Sequence, residues 1–143
     1  MHGVCCLKVG RRIGNFVDAG PGGTVTSNDT GFITERRPDS VRGPDISYWS
    51  KERLKEVPVG YIEIPPDMLV EVLSPSNTSK QIRTKIQEYF AKGVRLVWVI
   101  APEDRTLTIY RTADEGRLLH DTATATGEDV LPGFECRVSE LLP

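Results

Sequence analysis

The sequence is poor in the features that mark membrane and secreted proteins. No run of about 18 apolar residues occurs, so no helix is expected to span a bilayer. The charged, apolar and small succession of a secretory leader does not open the chain. Cysteine is limited to Cys5, Cys6 and Cys136. An odd count with two neighbours argues for reduced thiols in a cytoplasmic protein over a disulfide framework or a metal cage. Charge of one sign is lacking too: Lys+Arg 18 against Asp+Glu 20 gives a formal net charge of −2. That excludes a global basic field, and nucleic-acid contact then has to rest on a local patch. His2 and His120 show no metal-ligand spacing and read as incidental. Ser74 and Ser76 have neither a GxSxG setting nor a paired histidine, which argues against a serine hydrolase. Repeats and low-complexity segments are absent. What is there, 143 residues with 38% hydrophobic content, suffices for one core, and a single domain over residues 1–143 is expected.

The informative stretch is Asp67–Leu73, DMLVEVL. Side chains alternate across a strand, so Met68, Val70 and Val72 share one face and Leu69, Glu71 and Leu73 the other. Both faces are apolar apart from Glu71, the pattern of a strand buried on both sides in a sheet flanked by helices. An ionised carboxylate in that position costs several kcal/mol unless a cation or hydrogen-bond donors meet it.

Around this strand the pattern predicts a helix over His2–Val17, with Cys5, Val9, Ile13 and Phe16/Val17 on one face. No cap signal precedes it, so the chain is expected to begin inside an element. Strands are expected at Val25–Ser27, Gly31–Glu35 and Asp45–Trp49, the last two forming an antiparallel hairpin across a turn region at Arg36–Gly43. Ser50–Val59 reads as a short exposed helix and Tyr61–Pro66 as a loop. After a break at Ser74–Asn77, a helix runs from Thr78 to Lys92 and stops at Gly93. Its buried stripe is Ile82, Ile86, Tyr89 and Phe90, and Lys85 lies about 85° from the stripe centre, able to reach toward the sheet. Leu96–Ile100 is a second wholly apolar strand, parallel to the first through a βαβ unit. Thr106–Arg111 returns by hairpin, Arg117–His120 adds a strand, and Leu131–Phe134 with Val138–Leu142 closes the domain.

Asp45 follows Pro44 at a strand start, 26 residues before Glu71. Two carboxylates on adjacent strands make a site for a hard divalent cation such as Mg²⁺, with Mn²⁺ as a substitute. Lys85 would point at the same spot, orienting a water or offsetting charge on a pentacovalent phosphorus. Blander roles are open to each: a turn residue for Asp45, a solvated helix lysine for Lys85. Asp67, on the Glu71 face, is a rival second ligand. Pro38–Asp39 and Pro66–Asp67 repeat the Pro–Asp pair, so that dipeptide discriminates nothing by itself.

Four runs, GFITERRPDSVRGPDISYW, PPDMLVEVLSPSN, KIQEYFAKGVRLVWVI and LPGFECRVSELL, resemble the Uma-two family of restriction-endonuclease-like nucleases, within the PD-(D/E)XK superfamily. The resemblance extends from His2 to Leu142. It implies an α/β (mixed α+β) restriction-endonuclease-like fold, a three-layer core with a central mixed β-sheet flanked by helices. It implies that Asp45 and Glu71 bind metal, with the Val72 carbonyl as a further ligand. Leu73 stands where the superfamily has its lysine, and Lys85 takes that role from the next helix. Family members usually begin with a further helix and a strand pair, and often have an aspartate where this chain has Ala101.

The leading expectation is therefore a cytoplasmic, Mg²⁺-dependent endonuclease hydrolysing DNA phosphodiester bonds, with Asp45, Glu71 and Lys85 as its catalytic residues. Lys80, Arg83, Lys85, Lys92 and Arg95 against Glu88 alone make Asn77–Arg95 the local basic patch. The alternatives are a catalytically degenerate nuclease-fold module binding nucleic acid or a protein partner, and a dimerisation domain. A homodimer is consistent with restriction-like enzymes by analogy.

Overall fold

Alternating apolar side chains along Met68–Val72 divide the molecule into two packed faces. The computed structural model describes residues 1–28, 30–36 and 40–143. Its elements begin with α1 (His2–Ala19), β1 (Thr24–Ser27), β2 (Phe32–Glu35), β3 (Ser40–Arg42), β4 (Ile46–Trp49) and β5 (Met68–Val72). They continue with α2 (Ser79–Ala91), β6 (Leu96–Ala101), β7 (Thr106–Thr112), β8 (Glu115–His120), β9 (Thr124–Gly127), β10 (Leu131–Arg137) and a 3-10 turn at Val138–Leu141. The central sheet has the order β1-β4-β5-β6-β7-β8. β5 and β6 are parallel and the other neighbours antiparallel, so the sheet is mixed.

On one face, Met68, Val70 and Val72 pack with Ile46, Tyr48, Trp98 and Ile100 beneath α1. That helix buries Cys5, Val9, Ile13 and Val17, one stripe of period 3.6. The β9–β10 hairpin and the 3-10 turn complete this layer through Ala125, Leu131, Phe134 and Leu141. On the other face, Leu69, Trp49, Val97 and Val99 meet Ile86 and Tyr89 of α2, and Phe32 of β2 lies with its ring centroid 6.0 Å from that of Tyr89. Each large side chain buried in this way contributes roughly 1.5–3 kcal/mol, so the two cores dominate stability. A capping box starts α2: Gln81 N–H donates to Thr78 Oγ1 at 3.2 Å, and Thr78 N–H donates to Gln81 Oε1 at 2.9 Å.

Three expectations are corrected. β4 pairs with β1 and not with the Gly31–Glu35 strand, which forms its own two-stranded sheet with β3. Hydrophobic pattern could not decide this, since either partner suits Ile46 and Tyr48. The β1–β4 pairing goes with a tight approach at Gly23, at φ 116°, where a Cβ would lie 2.4 Å from the Trp49 carbonyl oxygen. Only glycine lets the chain leaving α1 run this close to the end of β4. Ser50–Val59 is not a helix. A single turn forms, with Arg53 and Leu54 N–H on the Ser50 carbonyl, before Pro58 and Gly60 prevent continuation. Arg53 is drawn instead to the carbonyls of Pro66 (3.1 Å) and Gly93 (2.9 Å). Finally, β9 was not foreseen, because four residues of Thr, Ala and Gly carry too little apolar signal. The turn expected at Arg36–Gly43 and the Pro38–Asp39 pair fall partly or wholly outside the described residues. Among the described residues no helix is long and apolar enough to cross a membrane.

Candidate active site

β5 brings Glu71 to the face shared with α2, and only 8% of the residue is exposed. The Tyr89 hydroxyl, from α2, donates to Glu71 Oε1. Lys85 Nζ, one helical turn earlier, is 3.8 Å from the same oxygen, its side chain 29% exposed. This is the boundary placement expected from the helical pattern. Burial holds the Glu71 carboxyl above its ordinary value; the Tyr89 hydrogen bond and the Lys85 ammonium pull it back, and the charge of Asp45 adds to the rise. Burial, followed by the Glu71 charge, drives the Tyr89 phenol far upward, so it donates as a neutral hydroxyl.

Asp45 sits in the bend just before β4. The β4–β5 register pairs Ile46 with Val70, so Asp45, the residue before β4, stands at the same end of the sheet as Glu71, near enough for its charge to act on that carboxyl. The ladder has ended there, leaving the Val72 N–H free to donate to Asp45 Oδ2 at 2.8 Å. The Val72 carbonyl projects from the same edge of β5, because a strand residue turns both its backbone groups to one neighbour. The Asp45 side chain is 11% exposed, and its Oδ1 is 3.2 Å from His2 Nε2. Asp45 is thus held between the end of β5 and the start of α1.

Asp67 belongs to a different arrangement. It accepts from Ser50 N–H at 2.7 Å, and its Oδ1 lies 3.2 Å from Arg53 Nε and 3.4 Å from Arg95 Nη1. Four residues along a strand is about 13 Å, so Asp67 is no ligand partner for Glu71. The basic stretch divides as well. Arg95 is committed to Asp67 and Asp129. Lys80 and Lys85 join Arg42, Asn77, Gln81 and Thr84 around a cleft of about 360 Å³, and of these Lys85 reaches Glu71. Arg42 is itself anchored by Glu88 Oε2, at 2.8 Å from its Nε and from its Nη2.

The family model for Uma2, described as "putative restriction endonuclease", matches residues 1–139. The chain belongs to the Uma2 family. Its fold matches the crystal structure of a "putative nuclease belonging to DUF820" from Anabaena variabilis ATCC 29413, with a TM-score of 0.80 at 20% identity, over 98% of this chain and 79% of that one. No curated protein matches the sequence. Membership of Uma2 and this likeness establish a nuclease-type fold.

The Uma2 chain also holds site residues that the sequence reading passed over. His2, incidental by its spacing in the sequence, lies against Asp45, and Cys6 Sγ is 3.7 Å from His2 Nδ1 and 3.8 Å from Nε2. The signal was their i, i+4 spacing, which puts both on one face at the start of α1. Burial first, and then the Asp45 charge, push the Cys6 thiol up to about 12.

Proposed function

We propose that the protein is a divalent-cation-dependent endonuclease acting on DNA. The supporting observation is the buried Glu71 carboxylate, with Lys85 3.8 Å away, at the same open end of the β4–β5 ladder as Asp45. The donor set fits a hard cation: two carboxylates and the Val72 carbonyl are oxygen ligands, and Mg²⁺ or Mn²⁺ would be held by Asp45, Glu71 and that carbonyl. When bound, the cation supplies the Lewis acidity that phosphodiester hydrolysis draws on.

The protein's own groups do the rest. Val72 N–H fixes one Asp45 oxygen, and Tyr89 fixes one Glu71 oxygen, so neither carboxylate has to be ordered when substrate arrives. Lys85 reaches the same place from α2. Its ammonium orients the attacking water and offsets charge growing on the phosphoryl oxygens. Lys80 and Arg42, around the adjoining cleft, suit a phosphate backbone passing the site. At a net charge of −2, this local patch has to carry the attraction.

The test is plasmid cleavage with Mg²⁺ or Mn²⁺ by the full chain and by Glu71→Ala, with folding checked by circular dichroism. Loss of metal-dependent cleavage from a folded variant is expected; cleavage that survives ends the proposal. A second reading, a degenerate nuclease fold that binds without cutting, draws support from Leu73 at the superfamily's lysine position and from Tyr89 already engaging Glu71. Calorimetric titration separates the two, since a vestigial site takes up no Mg²⁺ or Mn²⁺ saturably.

A further inference from the structure

We infer that His2, Cys6 and Asp45 form a second metal site, for a borderline or soft divalent transition ion such as Zn²⁺ or Co²⁺. One ligand atom from each of the three lies within 4.8 Å of the others. Imidazole nitrogen, thiolate sulfur and carboxylate oxygen are the donors such ions select, whereas Mg²⁺ does not take thiolate. The separations are of the ion's size, and the half-exposed His2 ring, whose two nitrogens stand 3.7 and 3.8 Å from Cys6 Sγ, has to turn for one lone pair to meet the ion. Ligands at about 2.0–2.1 Å (N, O) and 2.3 Å (S) from a tetrahedral ion stand about 3.3 Å apart for N and O and about 3.6 Å for N and S. The corresponding distances here are 3.2 Å for His2 Nε2 to Asp45 Oδ1 and 3.8 Å for His2 Nε2 to Cys6 Sγ.

Three protein ligands leave the fourth position of a tetrahedral ion open. That position would face a pocket of about 570 Å³ whose walls include Leu7, Val25 and Ile46. The His2 side chain is 41% exposed at its mouth, so an ion can enter from solvent. The two sites meet at Asp45 without merging. Its Oδ2 is turned to Val72 and β5, its Oδ1 to His2 and α1. The α1 site requires no role for Glu71 or Lys85, and it stands whether or not the protein cuts DNA. Binding is coupled to a proton: the Cys6 thiol gives its proton to solvent as the sulfur–metal bond forms.

The test is titration of the chelator-stripped 143-residue chain with Co²⁺, followed by absorption. A thiolate-to-cobalt charge-transfer band saturating at one equivalent is expected, and Zn²⁺ should abolish it by displacement. Cys6→Ser should remove the band. His2→Ala, at a half-exposed position that threatens the fold less, should weaken cobalt binding by more than the roughly 10–100-fold that loss of a supporting partner costs. Glu71→Gln should leave the band unchanged while removing cleavage, which keeps this site separable from the endonuclease proposal. No thiolate band with the wild-type chain, or a band that survives Cys6→Ser through Cys5 or Cys136, overturns the inference.

Discussion

The two ends of β5 carry two buried carboxylates with opposite surroundings. Asp67, at the entry, is met by two guanidinium groups and a backbone N–H. Glu71, at the exit, has a neutral hydroxyl and one ammonium 3.8 Å away. The first is a closed set that holds Ser50, Arg53 and Arg95 to the sheet. The second is short of positive charge, and burial raises its carboxyl accordingly. A carboxylate that the fold itself neutralises is structural; one left under-compensated beside a second acid is where a cation fits. The largest expected effect exploits that contrast. Glu71→Gln should lower metal-dependent plasmid nicking by at least about 10²–10³-fold, the scale seen when one electrostatic catalytic group is removed. Asp67→Asn, assayed while folded, should nick at close to the wild-type rate. Equal losses from both would erase the distinction.

Stability should respond in the reverse sense. Asp67→Asn leaves two arginines facing a buried amide. Removing one partner of a fully buried pair costs about 3–5 kcal/mol. Here the arginine side chains are 25% and 43% exposed, so rehydration discounts the loss to about 2 kcal/mol. A urea midpoint that falls with an unchanged m-value is the expected reading. Glu71→Gln should instead stabilise the metal-free protein at neutral pH and raise its Tm. The sign follows from linkage. Glu71 binds its proton more tightly folded than unfolded, so its own contribution to metal-free stability is fully present below the ordinary value of 4.5 and is lost as pH rises through the higher folded value. The Gln variant should lack that fall, as thermal melts across the acid range would show.

The same contrast explains how much of the site was legible beforehand. Glu71 stood out because one charge interrupted an apolar alternation, and Lys85 because helical phase put it at the edge of a buried stripe. Both are local signals. The parallel β5–β6 pair and the two-faced core followed from wholly apolar runs on either side of a helix. The partners of Asp67 did not follow, because Arg53 sat in a stretch read as an exposed helix and Arg95 in a basic patch. His2 and Asp45 are 43 positions apart, and their contact depends on how α1 crosses the end of β4. In that crossing Gly10 of α1 lies so close to Ile46 that a Cβ there would come within 2.9 Å of its Cδ1, a contact that hydrophobic pattern does not reveal. Cys6 was counted among the thiols, but its i, i+4 relation to His2 went unused.

The finest comparison concerns what each carboxylate leans on. Tyr89 does for Glu71 a weaker version of what the arginines do for Asp67: its hydrogen bond favours the ionised form without bringing a charge. Tyr89→Phe keeps the ring that packs near Phe32 and removes only the hydroxyl. Glu71 should then bind its proton more tightly still. The site needs Glu71 ionised to hold a cation, so the acid limb of the cleavage profile should move to higher pH, with the plateau rate changed by less than about tenfold. Arg95→Gln, which weakens the support of Asp67 at the other end of the strand, should leave that limb in place while lowering the urea midpoint. A limb that stays put in Tyr89→Phe would mean that a group other than Glu71 sets the acid side of the profile. The lysine would then be the first to test, because Lys85 is the other partner of the same Glu71 oxygen.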